Sequence, residues 1–300
     1  MTTSPSSARR PVLRVGCPMW AHPPWVGRFL SPGNRGRELE EYARWCNAVE
    51  GNTTFYAVPA TATVARWARQ APPEFRFAFK VPRHVTHELR LRGDAARRAF
   101  EEFLVAVEPL VDRLGPVQLQ MPPSFGPEEF PALRAFVSEL PGSHSWVVEL
   151  RHHGFFGGGR AQLAVEELFG ECGIGRVVLD TRPLYAHPPV TDAAVEERRT
   201  KPRLPVLTDV MGPTPVVRVI GSDDREGTAA GLRDWVPHVV EWLAEGREPY
   251  LFVHQPENLE SPSLARAIHA EVAALVDLVP LPTPLPVAPA SEIVGQDSLF

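Results

Sequence analysis

The sequence predicts a single-domain α/β protein built as a (β/α)8 barrel. Eight short runs rich in β-forming residues recur along the chain, and helix-period segments follow most of them. A chain of 300 residues with 44% hydrophobic content is long enough for one large core. Strands that alternate with helices form a parallel sheet, and eight such units close into a barrel. The alternative is a doubly wound open sheet, which would usually carry a GxGxxG turn where this chain has GCPMW.

The predicted elements occupy most of the chain. Strands are expected at 12–17, 48–55, 76–82, 116–121, 145–151, 175–181, 214–220 and 249–255. Helices are expected at 36–46, 61–70, 94–108, 127–139, 160–172, 229–245 and 261–276. The sixth connection, 183–213, is long and broken by prolines, so we expect a functional loop or lid there. Residues 1–10 are expected to form a disordered leader, 11–277 the barrel, and 278–300 an extended proline-rich tail.

Charge and composition argue against several classes of protein. The formal net charge of −5 gives no global basic field, so any anion site must be local. The three cysteines are odd in number and include no CxxC pair, which argues against a disulfide framework and a cysteine-based zinc site. The N-terminus shows no apolar signal core, and no apolar run reaches about 18 residues. We therefore expect a cytoplasmic protein without a membrane span.

Polar residues share one face of the predicted strands, and apolar residues share the other. Because strand side chains alternate between two faces, the polar face is expected to line the barrel towards its C-terminal mouth. On that face four cations stand against three anions, which predicts a phosphate or carboxylate ligand. A purely structural ion network is the alternative. The polar set comprises Glu50, Asn52, Lys80, Gln118, Gln120, Glu149, Arg151, Asp180, Arg182, Arg218 and His254.

Several of these residues are predicted to carry chemistry. Glu149 and Asp180 end neighbouring strands and are expected to divide the roles of acid and base, with His152 as a further proton carrier. Lys80 lies beside other cations in an enclosed site, so we expect a depressed pKa and an amine nucleophile. Ligand contacts are expected from Trp20, His87 and the remaining members of the polar set, with Arg151 and Arg218 holding the anion.

A divalent metal is the less favoured prediction for the same region. No HxH or HExxH spacing supports a metal site, and the neighbouring lysine and arginines would repel a cation. If a metal binds, the ligands expected from the sequence are His87, Glu149, His152, Asp180 and His254.

Six motifs occur in order between residues 12 and 277: GCPMWAHPPW, EGNTTFYAVP, FKVPRHVTHELRL, QLQMPPSF, VVELRHHGFF and VVLDTRPL. In these motifs the chain resembles the domain-of-unknown-function 72 family, the YecE-like proteins. The resemblance implies a TIM-type barrel. It implies no reaction, because the activity of the family is not established. It places the pocket at Trp20, Glu50, Asn52, Lys80, Thr86, His87, Gln120, Glu149, Arg151, His152 and Asp180.

The last five residues, QDSLF, resemble the short peptide by which bacterial replication and repair proteins dock on the DNA sliding clamp. Such a peptide places apolar side chains in a pocket while its glutamine forms hydrogen bonds nearby. We expect Gln296, Ser298, Leu299 and Phe300 to contact the clamp. The alternative is that Leu299 and Phe300 pack on the barrel itself.

Three hypotheses on function follow from these patterns. The first is a nucleic-acid repair or processing enzyme that acts on a phosphorylated or nucleotide-like substrate and is recruited to the clamp. The second is a non-catalytic module that binds nucleic acid or a phosphorylated metabolite. The third is an enzyme that acts on a small sugar phosphate, with an unrelated tail. The sequence alone leaves all three open.

Overall fold

The structure is a computed structural model that describes residues 10–287. In that range the strands are β1 Arg14–Gly16, β2 Ala48–Gly51, β3 Arg76–Phe79, β4 Val117–Gln120, β5 Trp146–Glu149, β6 Gly175–Asp180, β7 Val216–Ile220 and β8 Tyr250–His254. The helices are α1 Glu38–Trp45, α2 Thr53–Tyr56, α3 Thr61–Gln70, α4 Gly93–Val107, α5 Phe130–Val137, α6 Arg160–Cys172, α7 Arg182–Ala186, α8 Asp192–Thr200, α9 Arg225–Arg233, α10 Val236–Ala244 and α11 Ser261–Ala273. The chain is therefore an α/β protein, as predicted.

The strands form two parallel sheets, and the predicted closed eight-stranded barrel is wrong. One sheet has six strands in the order β1-β8-β7-β6-β5-β4, and the other pairs β2 with β3. Between β3 and β4 only isolated bridges occur, Phe77 with Leu114 and Lys80 with Gln118. Between β1 and β2 there is no ladder in the described part of the chain.

Side chains replace the missing ladder between β1 and β2. The N–H of Val15 donates to Asn47 Oδ1 at 2.8 Å, and the N–H of Cys17 donates to the Tyr42 hydroxyl at 2.8 Å. That hydroxyl donates in turn to Ala48 O at 3.0 Å. Buried backbone groups must find partners. Here two side chains supply partners for Val15, Cys17 and Ala48, and one backbone hydrogen bond, from Glu50 N–H to Cys17 O at 3.0 Å, joins the two segments without forming a ladder.

Proline and capping residues explain where the predicted helices differ from the observed ones. The predicted helix 229–245 is two helices, α9 and α10, because Pro237 stands in the first turn of α10, where a missing N–H costs nothing. The connection 183–213 contains α7 and α8, although we expected little helix there. Thr191 caps α8, because its side chain accepts a hydrogen bond from Ala194 N.

The apolar core lies mainly between the strands and the helices. A second, smaller apolar cluster joins both sheets on their other faces, which we call the inner faces: Ala48, Ala78, Val147, Val177, Val216, Tyr250 and Phe252. In most strands the next residue on that face, towards the C-terminal end, is polar. The inner faces therefore change from an apolar layer to a polar layer at one end of the strands.

Candidate functional site

The polar layer is a buried cluster of charged side chains at the C-terminal ends of the strands. We call it the inner cluster and define it as Glu50, Lys80, Gln118, Glu149, Arg151, Arg218 and His254. The cluster joins the two sheets, because its members come from or directly follow β2, β3, β4, β5, β7 and β8. Both glutamates are fully buried, and Arg218 is 2% exposed. Charges this deep must be paired, because an unpaired buried ion costs several kcal/mol.

Arg218 holds the cluster together. Its Nε lies 2.5 Å from Glu50 Oε1, and its Nη1 donates to Glu149 Oε2 at 2.7 Å. Gln118 Nε2 also donates to Glu149 Oε2, at 2.6 Å, and Arg151 pairs with the other oxygen of Glu149. One guanidinium group thus links a carboxylate of the two-stranded sheet to a carboxylate of the six-stranded sheet.

Glu50 is the second centre of the cluster. Its carboxylate lies 3.2 Å from Lys80 Nζ and 2.9 Å from His254 Nε2. Asn52 Nδ2 donates to Glu50 Oε2 at 3.4 Å and to Pro18 O at 3.0 Å. Glu50, Lys80 and Asn52 therefore lie together, as the sequence predicted.

Both carboxylates of the cluster are held in the ionised form. Burial alone would raise the pKa of Glu149, but Arg151, Arg218 and Lys80 outweigh it and lower the pKa to about 2. Burial opposes the charges at Glu50 in the same way, and Arg218, followed by Lys80, brings its pKa well below the usual range. Neither group can serve as an acid near neutral pH.

Lys80 is the group of the cluster that changes its charge near neutral pH. Burial lowers its pKa, and the positive charge of Arg218 lowers it further, to about 7, although Glu50 and Glu149 oppose the change. A large fraction of the Lys80 side chains is therefore a neutral amine at pH 7. Burial also lowers the pKa of His254 to about 4. Its imidazole is therefore neutral, with Nε2 2.9 Å from Glu50 Oε2.

Two residues flank the cluster at its rim. His87 follows β3 in a π-helical turn, His84–Glu88, with its Nδ1 2.9 Å from the Thr86 hydroxyl and its ring against Phe55. Burial and the charge of Arg151 lower the pKa of His87 to about 4. Lys201 directly follows α8, and its pKa is lowered by burial and by Arg218.

Lys201 was not predicted from the sequence. It lies in the connection 183–213, where no strand alternation indicates the direction of a side chain. The connection is anchored beside the cluster, because Thr181, which follows β6, donates to Pro202 O at 3.1 Å. One signal was available. Of the 31 lysines and arginines in the chain, only Lys80 and Lys201 are lysines, and both lie at this site.

Asp180 and Arg182 lie outside the cluster, contrary to their predicted place on the inner face. Val177 belongs to the inner apolar cluster and Val178 to the outer core, so the alternation of β6 puts Asp180 on the outer face. Asp180 accepts hydrogen bonds from Arg182 Nε at 2.9 Å and from Trp235 Nε1 at 2.9 Å. The predicted division of acid and base roles between Glu149 and Asp180 therefore lacks the required geometry.

The other predicted residues lie around the cluster in different settings. Trp20 packs against Trp67 and Phe77 of the outer core. Gln120 lies two residues after Gln118 in the same strand and is 6% exposed. Its Oε1 has no hydrogen-bond partner among the described residues. His152 is half-buried next to Arg151, and its Nδ1 accepts the N–H of Gly154 at 3.0 Å.

The metal ligands that the sequence suggested do not come together. Across residues 10–287, no group of three or more histidine, cysteine, aspartate or glutamate side chains could hold a metal ion. All three cysteines are free thiols. The same range contains no helix long and apolar enough to cross a membrane. Gln296, Ser298, Leu299 and Phe300 lie outside the described residues.

Comparisons with known proteins agree on one family. Residues 14–288 match the model of a family described as "Protein of unknown function DUF72". UPF0759 protein YecE of Escherichia coli K12 is 37% identical over 257 residues, which cover 86% of this chain and 91% of that protein. The YecE protein of Escherichia coli O157:H7 matches equally well.

Two solved structures show the same fold. The crystal structure of a DUF72 family protein of Enterococcus faecalis V583 has a TM-score of 0.64 at 18% identity, covering 90% of this chain and 97% of that one. The DUF72 family protein of Thermotoga maritima MSB8 has a TM-score of 0.62 at 22% identity, covering 88% and 98%.

Proposed function

The chain belongs to the DUF72 family of proteins of unknown function, and we propose that its inner cluster is the active site of a lyase that uses Lys80 as an amine nucleophile. The substrate class is a phosphorylated or nucleotide-like compound with an aldehyde or ketone group. One observation carries the proposal: Lys80 is buried between Glu50 and Arg218 with a pKa of about 7.

A lysine of this kind fits imine chemistry. A neutral amine attacks carbonyl carbons, and burial beside another cation is a known way to obtain it near neutral pH. Arginine cannot replace lysine in this role, because its guanidinium group stays protonated in proteins. The chain uses arginine for all but two of its 31 strongly basic side chains. The use of lysine at position 80 therefore supports the view that this position requires a basic group that can lose its proton.

Positive charge is available for an anionic part of the substrate. When Lys80 is the neutral amine that the reaction needs, three cations, Arg151, Arg218 and Lys201, stand against three acids, the two cluster glutamates and Glu197, which lies 3.4 Å from Lys201 Nζ. The positive charge available to the substrate is therefore local to the exposed cations. Arg218 is held on both sides by carboxylates, whereas the side chain of Arg151 is 11% exposed and that of Lys201 is 20% exposed. Arg151 and Lys201 are thus the groups placed to bind a phosphate at the rim.

The proposed reaction begins at the Lys80 nitrogen. The amine attacks the carbonyl carbon of the substrate, and the two hydrogens lost from the amine leave with the carbonyl oxygen as water. Protonation of the imine nitrogen draws electrons from the substrate, so that the neighbouring carbon loses a proton to water and forms a C=C bond with the next carbon. The C–O bond between that next carbon and the phosphate breaks, and the phosphate leaves with the bonding electron pair. Water then hydrolyses the imine and restores Lys80. Nδ1 of His152 accepts from Gly154 N, so Nε2 is the ring nitrogen left to exchange a proton, and His152 is the proposed proton carrier.

Reductive trapping tests this proposal. The protein is incubated with glyceraldehyde 3-phosphate, or with an oligonucleotide that carries an abasic site, and is then treated with sodium borohydride. We expect a stable adduct on Lys80 by peptide mass spectrometry. Lys80→Met should abolish the adduct, and the matched variant Lys201→Met should keep it at higher substrate concentration. An adduct that persists in Lys80→Met, or none with either substrate, would contradict the proposal.

The C-terminal QDSLF supports a second proposal, on the partner. We propose that this peptide docks the protein on the DNA sliding clamp, which would bring the inner cluster to nucleotide-like substrates. Full-length protein should bind an immobilised bacterial clamp saturably, and a Leu299→Ala/Phe300→Ala variant should not. Equal binding of both proteins, or none by either, would contradict clamp docking without affecting the proposal for Lys80.

A further inference from the structure

A cleft beside the inner cluster collects positive charge that the proposed reaction does not use. We call it the arginine cleft. It has a volume of about 550 Å³. Its lining contains two arginines, one histidine and one tyrosine, and, of the residues the structure describes, no acid: His153, Thr181, Arg182, Tyr185, Ala186, Arg203, Leu204 and Pro205. Arg182 pairs with Asp180, with Nη2 2.7 Å from Asp180 Oδ2, and its Nη1 lies 3.9 Å from Asp234 Oδ2.

The arginine cleft has both chemical elements of a site for single-stranded nucleic acid. Arg203 is exposed and lies over the ring of Tyr185 at 4.6 Å, and the side chain of Arg182 is 53% exposed. Leu204 and Pro205 add apolar surface. Non-specific single-strand sites combine cations along the backbone with aromatic or guanidinium surfaces for the bases.

Two chain segments connect the cleft with the inner cluster. Arg151 belongs to the cluster, and His153, two residues later, lines the cleft. Lys201 lies at the rim of the cluster, and Arg203, again two residues later, lines the cleft. Two residues of extended chain span at most about 7 Å. The rim cations Arg151 and Lys201 therefore each lie within that distance, along the backbone, of a residue that lines the cleft. A ligand that reaches from the cluster into the cleft meets cations at both places, which suits several phosphates better than a single phosphate.

We propose that the arginine cleft binds the phosphodiester backbone of a single-stranded nucleic acid whose reacting nucleotide enters the inner cluster. This inference rests on the proposed function, because it names the substrate class of the same site. It favours a polynucleotide over a small sugar phosphate.

The test is equilibrium binding of a fluorescent single-stranded oligonucleotide of about twelve nucleotides, within the range of single-strand sites. Arg203→Gln removes one cation of the cleft without exposing a buried acid. Arg199→Gln is the matched control, because Arg199 is exposed, pairs with Glu196 on α8 and does not line the cleft. Thymidine monophosphate is the single-phosphate probe.

Arg203→Gln should weaken oligonucleotide binding about threefold to fivefold, as expected for one exposed ion pair, and should lower the salt slope by about 0.7. Arg199→Gln should change neither quantity, and neither variant should alter binding of thymidine monophosphate. Equal effects of the two variants on the oligonucleotide, or an equal loss of thymidine monophosphate binding in Arg203→Gln, would overturn the inference. Binding of the oligonucleotide involves no imine. If trapping at Lys80 fails but Arg203→Gln weakens oligonucleotide binding as expected, the proposed reaction is wrong and the proposed binding of nucleic acid in the arginine cleft stands.

Discussion

Glu149→Gln gives the sharpest test of how the inner cluster is held together. The substitution keeps the size of the side chain and removes one charge, which Arg151, Arg218 and Gln118 all contact. Because the carboxylate is fully buried, solvent does not screen these contacts. Its pKa falls from 4.5 to about 2 on folding, and that gap corresponds to about 3 kcal/mol of folding free energy at pH 7. Breaking a buried ion pair typically costs about 3–5 kcal/mol. Both arguments give the same magnitude.

The sign of the pH dependence follows from the lowered pKa. A carboxylate whose pKa is lower in the folded state stabilises the fold above its unfolded pKa of 4.5, and this contribution is lost as the pH falls towards about 2. Urea denaturation at pH 7 should therefore show Glu149→Gln about 3 kcal/mol less stable than the natural chain. At pH 3.5 the difference should shrink to about 2 kcal/mol.

The control for this experiment is Glu196→Gln. Glu196 also pairs with an arginine, Arg199 at 2.7 Å, but the side chain of Glu196 is 58% exposed. Exposed pairs contribute little to stability, so the control should unfold at the midpoint of the natural chain. If Glu149→Gln also unfolds at that midpoint at pH 7, the contacts of the Glu149 carboxylate do not stabilise the fold, and the magnitude argued above is wrong.

Three further predictions concern Lys80 and the junction between β1 and β2. Acylation of Lys80 by acetic anhydride, followed by mass spectrometry, should rise with pH around a midpoint near 7, because the amine reacts only after losing its proton. In urea the midpoint should move to near 10.5; a folded midpoint above about 9 would contradict the environment described for Lys80. Tyr42→Phe should cost about 1–3 kcal/mol in urea denaturation, because two buried backbone groups lose their partner, whereas Tyr56→Phe, at a side chain that is 73% exposed, should change nothing. Gly16→Ala should cost about 3 kcal/mol or more by the same assay, because its Cβ would lie 2.2 Å from Ala48 O; a stable Gly16→Ala would show that β1 and β2 can separate freely.

Strand alternation predicted the cluster wherever one face of a strand was clearly polar. Glu50, Lys80, Glu149, Arg218 and His254 come from or follow five different strands, and each alternates with apolar neighbours that belong to the outer core. Because side chains alternate between the two faces of a strand, the placement of one residue fixes the face of every other residue in that strand. For these strands the sequence contained the answer.

β6 lacked that signal. Val177, Val178 and Leu179 are all apolar and all buried, because a parallel strand covered on both faces has no polar side. The predicted face of Asp180 then depended on whether Val177 or Val178 was assigned to the outer face of the strand. Its partners, Arg182 and Trp235, form an outer network that strand alternation could not reveal.

The closed barrel failed as a prediction because closure depends on hydrogen bonds between strands, which no residue pattern specifies. β1 has only three residues, and the N–H groups of Val15 and Cys17 donate to the side chains of Asn47 and Tyr42. Sequence reasoning counted eight strands, but it could not foresee that two side chains would occupy the edge where a ladder was expected.

The roles of the charged groups also changed, and for one reason. Glu149 was predicted to share proton transfer with Asp180, but the cations that pair with Glu149 and Glu50 keep both carboxylates ionised and therefore unable to donate a proton. Arg218, fixed between them, lies beside Lys80 and lowers its pKa. The carboxylates thus hold an arginine in place, while burial and then that arginine lower the pKa of Lys80 against the opposing effect of the two carboxylates. Replacing either glutamate should change the pKa of Lys80 even where stability survives, so chemistry at this site should follow the titration of Lys80 and show no carboxylate pKa between 4 and 6.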